Sequence, residues 1–409
     1  MTALEAALDL RTFRSLRRHR NYRLFFAGQV VSLAGTWMQN VALVWLVLEL
    51  SGSPLAVGAL VFCRFLPFTL LVLVAGAAAD RFDTRRLVMG TQASQMVVSL
   101  LLAAVTLTGT ASLPLVFVLA AIGGVTLVFD APGRQALTFQ LVGRRELPNA
   151  VALNSGLFNA SRVVGPAVAG VVIAAVGTGL CFAVNAVSFL AVLAALALMR
   201  EDELVPVERA EEATGVLVGA REALRFVAGD RDLRGVLGVV TAVSLAGFNF
   251  HVLVPLLAAE LELDSRSFGL LSAAFGAGAL IGALAVASMR GASRRAFAAG
   301  TVGFSVLLLA LAWVGSPPIA AVLLVALGVC FTLLTANANA LVQLRAPDHL
   351  RGRLISLYLL AFLGLAPLGG LLSGWLADRW SAGLAFGVAG VVGLASIGVA
   401  TRTWRVAVP

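Results

Sequence analysis

The 409-residue sequence contains no lysine, and charged residues make up only 12% of it. Soluble globular domains usually carry about 25% charged residues. Hydrophobic residues make up 60% of the chain, more than a soluble domain can bury. This composition excludes a soluble globular fold and predicts a chain whose solvent is a lipid bilayer.

Cysteine and histidine are also scarce, with three residues of each. The cysteines lie in apolar runs without a CxxC pair, and the histidines are scattered, so we expect no disulfide, no metal and no cofactor. No Ser/His/Asp or Cys/His arrangement and no GxxxxGK[ST] loop is visible, so the sequence predicts neither an enzyme nor an ATP-driven pump. The six residues are Cys63, Cys181, Cys330, His19, His251 and His349.

Long apolar runs dominate what is present. Because a helix needs about 20 apolar residues to cross the hydrocarbon core, the sequence predicts an all-α integral membrane protein with about twelve transmembrane spans. We number them 1 to 12, at 24–49, 54–79, 87–109, 113–135, 149–175, 179–199, 234–258, 267–289, 296–314, 318–343, 354–377 and 382–401.

These spans predict five segments along the chain. A cytoplasmic basic tail, 1–23, precedes an N-terminal six-helix bundle, 24–199; a cytoplasmic linker, 200–233, leads to a C-terminal six-helix bundle, 234–401, and a cytoplasmic tail, 402–409. Within the linker, 216–228 could form an amphipathic helix on the membrane surface.

The arginines predict the orientation. Of the 30 arginines, 26 fall on one side of the spans, which places both termini in the cytoplasm of a multi-pass cell-membrane protein. The net charge of +9 is divided into short clusters between apolar runs, so we expect no nucleic-acid partner. Apart from the 26 arginines on one side, Arg266 and Arg379 lie on the other side, and Arg64 and Arg162 lie within spans.

The two halves resemble each other. Val-Ser-Leu-Ala-Gly occurs at 31–35 in span 1 and again at 243–247 in span 7, 212 residues later. A Pro-Gly pattern in span 5 is echoed in span 11. The repeat indicates duplication of a six-span unit.

The end of span 2, Gly76-Ala-Ala-Ala-Asp80-Arg81-Phe-Asp-Thr-Arg85-Arg86, resembles the loop 2–3 signature of the major facilitator superfamily. Five further motifs resemble the branch that contains the enterobactin exporter and macrolide efflux proteins, the transmembrane secretion effector group. The resemblance covers nearly the whole chain. The motifs are Gly35-Thr-Trp37-Met, Arg64-Phe-Leu-Pro67, Phe129-Asp-Ala-Pro132, Leu147-Pro148-Asn149-Ala and Arg351-Gly-Arg353.

This resemblance implies two pseudo-symmetric six-helix bundles around a central cavity, lined by spans 1, 4, 7 and 10, that opens to one side of the membrane at a time. It implies secondary active transport, with proton antiport as the typical driving force, by a monomer with a small-molecule substrate.

Five charged residues are candidates for gating: Asp80, Arg81, Arg85, Arg86 and Arg353. An acid at the end of an apolar span needs a partner, and a helix N-terminus carries about half a positive charge. We therefore expect Asp80 to contact Arg353 or the start of span 11 and to latch the two halves. The alternative is a tight turn whose arginines only set the topology.

Arg64 and Arg162 lie near mid-bilayer in their spans, where an arginine costs about 2.5–3.5 kcal/mol on insertion scales. Both must therefore face the protein interior. They either line the substrate cavity as positive groups or clamp packed helices together.

Asp130 in span 4 is the candidate for proton coupling, because a carboxyl group in low dielectric holds protons more strongly. The alternative is a permanent ion pair with Arg134, one helical turn later. Many members of the branch carry an acid directly after the glycine of span 1, and here that position is Thr36.

Polar residues on spans 1, 7 and 10 are candidates for substrate contact, with interhelical hydrogen bonds as the alternative. In span 5, the pattern Gly165-Pro166-x-x-x-Gly170 resembles the antiporter motif of drug–proton exchangers and predicts a helix kink; small-residue packing is the alternative. The candidates for substrate contact are Gln39, Asn40, Asn249, His251, Asn337, Asn339 and Gln343.

These observations favour proton-coupled efflux of small amphipathic compounds such as drugs, antibiotics or siderophore-like metabolites. An importer or uniporter with the same fold, or a sensor that reuses it, remains an alternative.

Overall fold

The computed structural model describes residues 12–206, 216–247, 249–289, 291–347 and 350–404, and these contain helices and loops without a β-strand. Within these ranges, the side chains at 73, 74, 76–81, 216–220, 251, 351 and 403 lie outside the description.

The helices account for most of the described chain. In order they are α1 Arg14–Arg18, α2 Arg20–Ser51, α3 Pro54–Arg81, α4 Thr84–Leu107, α5 Leu113–Val176, α6 Thr178–Ala197, α7 Val216–Gly229, α8 Arg231–Ala246, α9 Phe250–Glu260, α10 Ser265–Ser288, α11 Arg294–Leu311, α12 Pro317–Arg345, α13 Arg351–Leu359, a π-helix Leu360–Gly364, α14 Ala366–Arg379 and α15 Ala382–Thr403.

The prediction of an all-α membrane fold is confirmed. Ten helices in the described residues are long and apolar enough to cross a membrane, while the number twelve stays a prediction. Spans 4 and 5 correspond to α5, which consists of two helices that meet at a kink, where the backbone of Gly143 is non-helical (φ 67°, ψ 174°). This left-handed φ suits glycine, which has no Cβ.

The segment predicted as span 7 is divided into two helices. The segment forms α8 and α9, with a break around Gly247 and Asn249. Gly247 caps α8 with φ −123° and ψ −19°. Span 11 is likewise divided, since one π-helical turn separates α13 from α14.

The chain divides into two compact units. Unit 1 is Met1–Leu43 with Leu70–Glu211, and unit 2 is Val44–Thr69 with Glu212–Pro409. The second half of α2 and the first half of α3 thus belong to unit 2. The predicted bundle boundaries at 199 and 234 stay predictions.

Unit 1 is built around α4, which packs against both α5 and α6. A cluster of buried apolar side chains from α2, α4, α5 and α6 fills its interior, including Tyr22, Val88, Leu137 and Leu196. This packing fixes α2 against the part of α5 that carries Asp130 and Arg134.

Unit 2 packs α12 against α10 and α11, and α15 against α8 and α11. Glycines permit the closest crossings: a Cβ on Gly278 would lie 1.9 Å from the Val325 carbonyl oxygen. The first turns of α3 also lie close to α14, where a Cβ on Gly58 would lie 2.6 Å from the Gly370 carbonyl oxygen. Because of this contact, the beginning of α3 groups with unit 2.

Candidate functional site

A cavity of about 730 Å³ lies within unit 1, between α2 and two separate stretches of α5. Its volume is within the roughly 300–1,000 Å³ typical of small-molecule sites. Most of its wall is apolar, with a few polar groups. The lining residues are Phe25, Gln29, Leu33, Ala131, Arg134, Gln135, Thr138, Phe139, Leu147, Val151, Asn154, Ser155, Leu157, Phe158 and Asn159.

Arg134 and Gln29 form the polar centre of this wall. Arg134 Nη1 donates a hydrogen bond to Gln29 Oε1 at 2.8 Å, and its Nη2 forms an ion pair with Asp130 one turn earlier in α5. The Arg134 side chain is 26% exposed and that of Asp130 is 1% exposed. Arg134 therefore connects a buried carboxylate to the cavity.

Asp130 is held by three partners. Besides the ion pair with Arg134, its Oδ1 accepts hydrogen bonds from Thr91 Oγ1 and from Gln92 Nε2, both at 2.8 Å. A buried carboxylate is stable only when it is paired and hydrogen-bonded in this way. The expected ion pair with Arg134 is thus present, and proton coupling by Asp130 stays a prediction.

Gln29 is a site residue that the sequence did not single out. It is 4% exposed, and its Nε2 has no hydrogen-bond partner in the described part of the chain. It lies on the same face of α2 as Phe25 and Leu33, four residues away on either side, and all three line the cavity. A polar residue at this spacing between two apolar cavity residues was the available signal.

The predicted cavity residue Gln39 lies instead in a packed polar cluster of unit 1. Its Oε1 accepts hydrogen bonds from Ser99 Oγ and Asn185 Nδ2, both at 2.7 Å. The side chain is buried and is not among the residues that line the described cavity. The arrangement joins α2, α4 and α6 and corresponds to the interhelical alternative. Asn40, next to it, is half-buried.

The two arginines within spans lie in different units. Arg162 is half-buried, with its guanidinium 5.6 Å from the centre of the Trp37 ring. Trp37 in turn packs edge to face against Phe158 of the cavity wall, with ring centres 5.5 Å apart. Arg64, in unit 2, is also half-buried, with its guanidinium 5.9 Å from the centre of the Phe65 ring. Both contacts are cation–π pairs in range.

Asn249 lies at the break between α8 and α9. It is 2% exposed, and its Nδ2 donates to Ser373 Oγ at 3.3 Å. Its Oδ1 has no hydrogen-bond partner among the described residues. The side chain of His251 lies outside the described part of the chain.

The three candidates on span 10 lie in α12. Asn337 is buried, accepts a hydrogen bond from the Ser293 backbone N–H at 3.0 Å and donates to the Leu333 carbonyl at 2.8 Å. It thereby connects α12 to the start of α11. Gln343 is exposed and donates to Asn339 Oδ1 at 3.0 Å.

Among the gating candidates, Arg85 and Arg353 have defined partners. Arg85 donates to the Leu196 carbonyl at 2.7 Å and to the Ala197 carbonyl at 3.2 Å, and it pairs with Glu201. A cation at these carbonyls interacts favourably with the C-terminus of α6. Arg353 pairs with Glu222 of α7.

The remaining gating candidates do not test the predicted contact of Asp80. The side chain of Arg86 is exposed, and its backbone N–H is capped by Asp83 at 2.8 Å. The side chains of Asp80 and Arg81 lie outside the described part, so the contact between Asp80 and Arg353 stays a prediction.

Gly165 and Pro166 are buried in α5, as is Gly170. A Cβ on Gly165 would lie 2.4 Å from the Trp37 Cβ and 2.9 Å from the Ala34 carbonyl oxygen, so this glycine permits close approach of α2. Pro166 has no N–H to donate to the carbonyl one turn earlier, at Arg162. The backbone of α5 leaves helical geometry at Gly143 rather than at this pair.

Glu146 is a second residue that the sequence did not single out. Its side chain is 5% exposed and pairs with Arg14 and Arg18 of α1. The hydrogen bond from Arg14 lowers the pKa of Glu146. The neighbouring Asn149 Oδ1 accepts from the Ser15 backbone N–H at 3.0 Å. Helix α1 is thus fixed to the segment between the two spans of α5.

Unit 2 contains a comparable cluster of ion pairs, in which the side chains that precede the span are acidic and their partners are basic. Asp232, at the start of α8, pairs with Arg294 and with Arg345, and Arg345 also contacts Asp230 at 3.2 Å. In unit 1 the basic side chains precede the first span, whereas in unit 2 acidic ones precede the seventh.

Apolar helices long enough to cross a bilayer, together with a largely apolar cavity that contains a few converging polar groups, define a membrane transporter. The family model described as transmembrane secretion effector matches residues 12–408. The chain belongs to this family of the major facilitator superfamily, which confirms the predicted resemblance. It is a multi-pass membrane transporter and not an enzyme.

Curated relatives match most of the chain. The multidrug efflux pump Tap of Mycolicibacterium fortuitum is 30% identical over 84% of this chain and 86% of its own length. The staphyloferrin A transporter of Staphylococcus aureus is 26% identical over 90% of this chain and 92% of its own. The crystal structure of a point mutant of the nucleoside transporter NupG has the same fold, with a TM-score of 0.76 at 11% identity over 94% of this chain and 99% of that one.

Proposed function

We propose that this transporter exports small amphipathic compounds, of the drug, antibiotic or siderophore-like kind, in exchange for protons. The cavity of unit 1 supports the substrate class, because its wall is mostly apolar and contains few polar groups. The relatives described as a multidrug efflux pump and a staphyloferrin A transporter support the same class.

The observation that carries the proposal is the set of contacts by which Arg134 pairs with Asp130 and donates a hydrogen bond to Gln29. Protonation of Asp130 removes its negative charge and weakens the ion pair with Arg134. The guanidinium then has hydrogen-bonding capacity available on the cavity side. Deprotonation restores the pair, so the Asp130 carboxylate and the substrate compete for one arginine, and substrate binding depends on whether Asp130 holds a proton. Proton-driven transport requires such a dependence of substrate binding on protonation.

The proposal includes the location and the gate. The monomer spans the bacterial cell membrane with both termini in the cytoplasm, as the arginine distribution predicts. Asp80, Arg81, Arg85, Arg86 and Arg353 control opening on the cytoplasmic side. Asp80→Asn should impair transport while membrane insertion persists; unchanged transport would remove the gating role.

Efflux from a deletion strain, measured against a compound panel with and without a protonophore, tests the main proposal. We expect the protonophore to abolish export. In inside-out vesicles, a transported compound should dissipate an imposed pH gradient with the native chain but not with Asp130→Asn. The exposed Asp202→Asn is the matched control and should behave as the native chain does. Export that survives both the protonophore and Asp130→Asn would contradict proton coupling, and accumulation in the opposite direction would indicate an importer.

A further inference from the structure

The polar lining of the unit 1 cavity offers hydrogen-bond donors and no negative charge. Among its described lining residues there is no Asp or Glu, and Arg134 is the one charged side chain. Other polar groups are already engaged: Asn154 Oδ1 accepts from the Tyr22 hydroxyl at 3.0 Å, and Asn159 Nδ2 donates to the Ser155 carbonyl at 2.8 Å. Arg134 is paired with Asp130, but only the arginine lines the cavity, so the positive end of this pair faces the wall and favours an anion over a cation.

Gln29 contributes a donor that lacks an acceptor. Arg134 can only donate, so its 2.8 Å contact fixes the Gln29 amide with Oε1 toward the guanidinium. Nε2 then points away from Arg134, and among the residues that the structure describes it has no hydrogen-bond partner, although Gln29 is 4% exposed. Buried donors are almost always paired in folded proteins, so Gln29 Nε2 is available to an acceptor that enters the cavity.

We propose that the cavity binds solutes with an apolar body and a terminal carboxylate, whose oxygens accept hydrogen bonds from Gln29 Nε2 and Arg134. The inference rests on the proposed transport function and specifies its substrate class. Phe25, Leu33 and Phe158 provide the apolar wall for the body. A carboxylate, with two acceptor oxygens and one charge, satisfies both donors.

Equilibrium binding to the purified chain in zwitterionic-lipid nanodiscs tests this substrate class without requiring flux. Three apolar bodies, naphthyl, biphenyl and indolyl, are each presented as the acetate, the acetamide and the ethylamine. For at least one body we expect the acetate to bind about tenfold or more tightly than the acetamide, which corresponds to about 1.4 kcal/mol, with the amine weakest. Equal affinities, or no binding of any of the three acids, would overturn the proposal.

Variants assign the binding to these residues. Gln29→Leu should weaken acetate binding about tenfold, since a hydrogen bond to a charged group is removed. Gln29→Glu can pair with Arg134 and retain the fold, and it should reverse the preference from acid to amine. The exposed Arg266→Gln, outside the cavity, should leave binding unchanged. Native affinity and selectivity in Gln29→Glu would overturn the assignment even if Gln29→Leu proves unstable.

The two proposals fail separately. If the chain exports cationic compounds and binds no acid, the carboxylate site is wrong while export stands. If acids bind in a Gln29-dependent way but neither vesicles nor cells show flux, the site stands and the transport proposal falls.

Discussion

At the residue scale, Arg85 and Arg86 are adjacent in the chain but have different surroundings. Arg85 is 15% exposed and binds two carbonyls at the end of α6, whereas Arg86 is exposed. Arg85→Gln should therefore lower the thermal midpoint of the detergent-solubilised chain, by an amount equivalent to about 1–3 kcal/mol, since carbonyls lose a charged donor. Arg86→Gln is the matched control and should change the midpoint little. Equal effects of the two variants would contradict a structural role specific to Arg85.

Glu146 should make stability depend on pH. Hydrogen bonding by Arg14 lowers the pKa of Glu146 from its ordinary value of 4.5, so the folded state favours the carboxylate. The stabilisation is complete above pH 4.5 and is lost as the pH falls through the lowered pKa. Glu146→Gln should reduce the thermal midpoint by about 2–4 °C at neutral pH, and the difference from the native chain should shrink in acid.

The exposed Arg145→Gln is the control for this measurement, because it changes a charge on the adjacent residue without touching the pair. A midpoint difference between native and Glu146→Gln chains that stays constant from neutral pH to well below pH 4.5 would contradict the ion-pair explanation.

Which site residues the sequence could predict depends on how local their contacts are. The pairing of Asp130 with Arg134 follows from their spacing of one helical turn, and the sequence analysis gave it as the alternative to proton coupling. Gln29 gains its importance from α5, 105 residues away in the chain, and Glu146 from α1, 132 residues away. No local pattern encodes these contacts. For Gln39 the sequence cannot distinguish the two alternatives, because a polar residue in the middle of a span has the same sequence pattern whether it faces a cavity or another helix.

At the scale of elements, the hydropathy pattern predicted where apolar helices lie but not where they break. The apolar run of span 7 continues through Gly247, so composition alone gives no boundary there. The π-helical turn of span 11 has tertiary contacts of its own: the Ser244 hydroxyl donates to the Phe362 carbonyl at 2.6 Å, and the Thr69 hydroxyl donates to the Gly364 carbonyl at 2.8 Å. Carbonyls displaced from the regular ladder thus find partners on other helices, as membrane helices require.

The same region supports a prediction for α14. A Cβ on Gly369 would lie 2.5 Å from the Leu245 carbonyl oxygen and 2.6 Å from Asn249 Nδ2, so α14 must move away from the end of α8. Gly369→Ala should destabilise the chain by about 1–3 kcal/mol, the usual effect of overpacking, and should reduce transport. Thermal midpoint and efflux rate measure the two effects.

Gly238→Ala is the matched control, because a Cβ there meets nothing within 4 Å and alanine is the better helix former by about 1 kcal/mol. It should be neutral or stabilising. If Gly369→Ala behaved as Gly238→Ala does, the close approach of α8 and α14 would carry no energetic weight.

At the scale of the whole molecule, the arginine distribution predicts orientation, which helix packing does not test. Thr110 follows span 3 and Arg144 follows span 4, so the two lie on opposite sides of the membrane if spans 3 and 4 both cross it. Both side chains are exposed. We expect a membrane-impermeant maleimide to label Thr110→Cys in intact cells, and Arg144→Cys only after permeabilisation.

The native cysteines complicate this labelling little, because Cys181 is buried and the other two are half-buried within spans; the unmodified chain sets the background. The pair of sites makes the outcome decisive. Labelling of Arg144→Cys in intact cells without labelling of Thr110→Cys would invert the topology, and with it the direction in which a proton gradient drives the substrate. Labelling of both would mean that spans 3 and 4 do not both cross the membrane. Only the predicted pattern places the loops with the arginine clusters in the cytoplasm, where the positive-inside rule requires them.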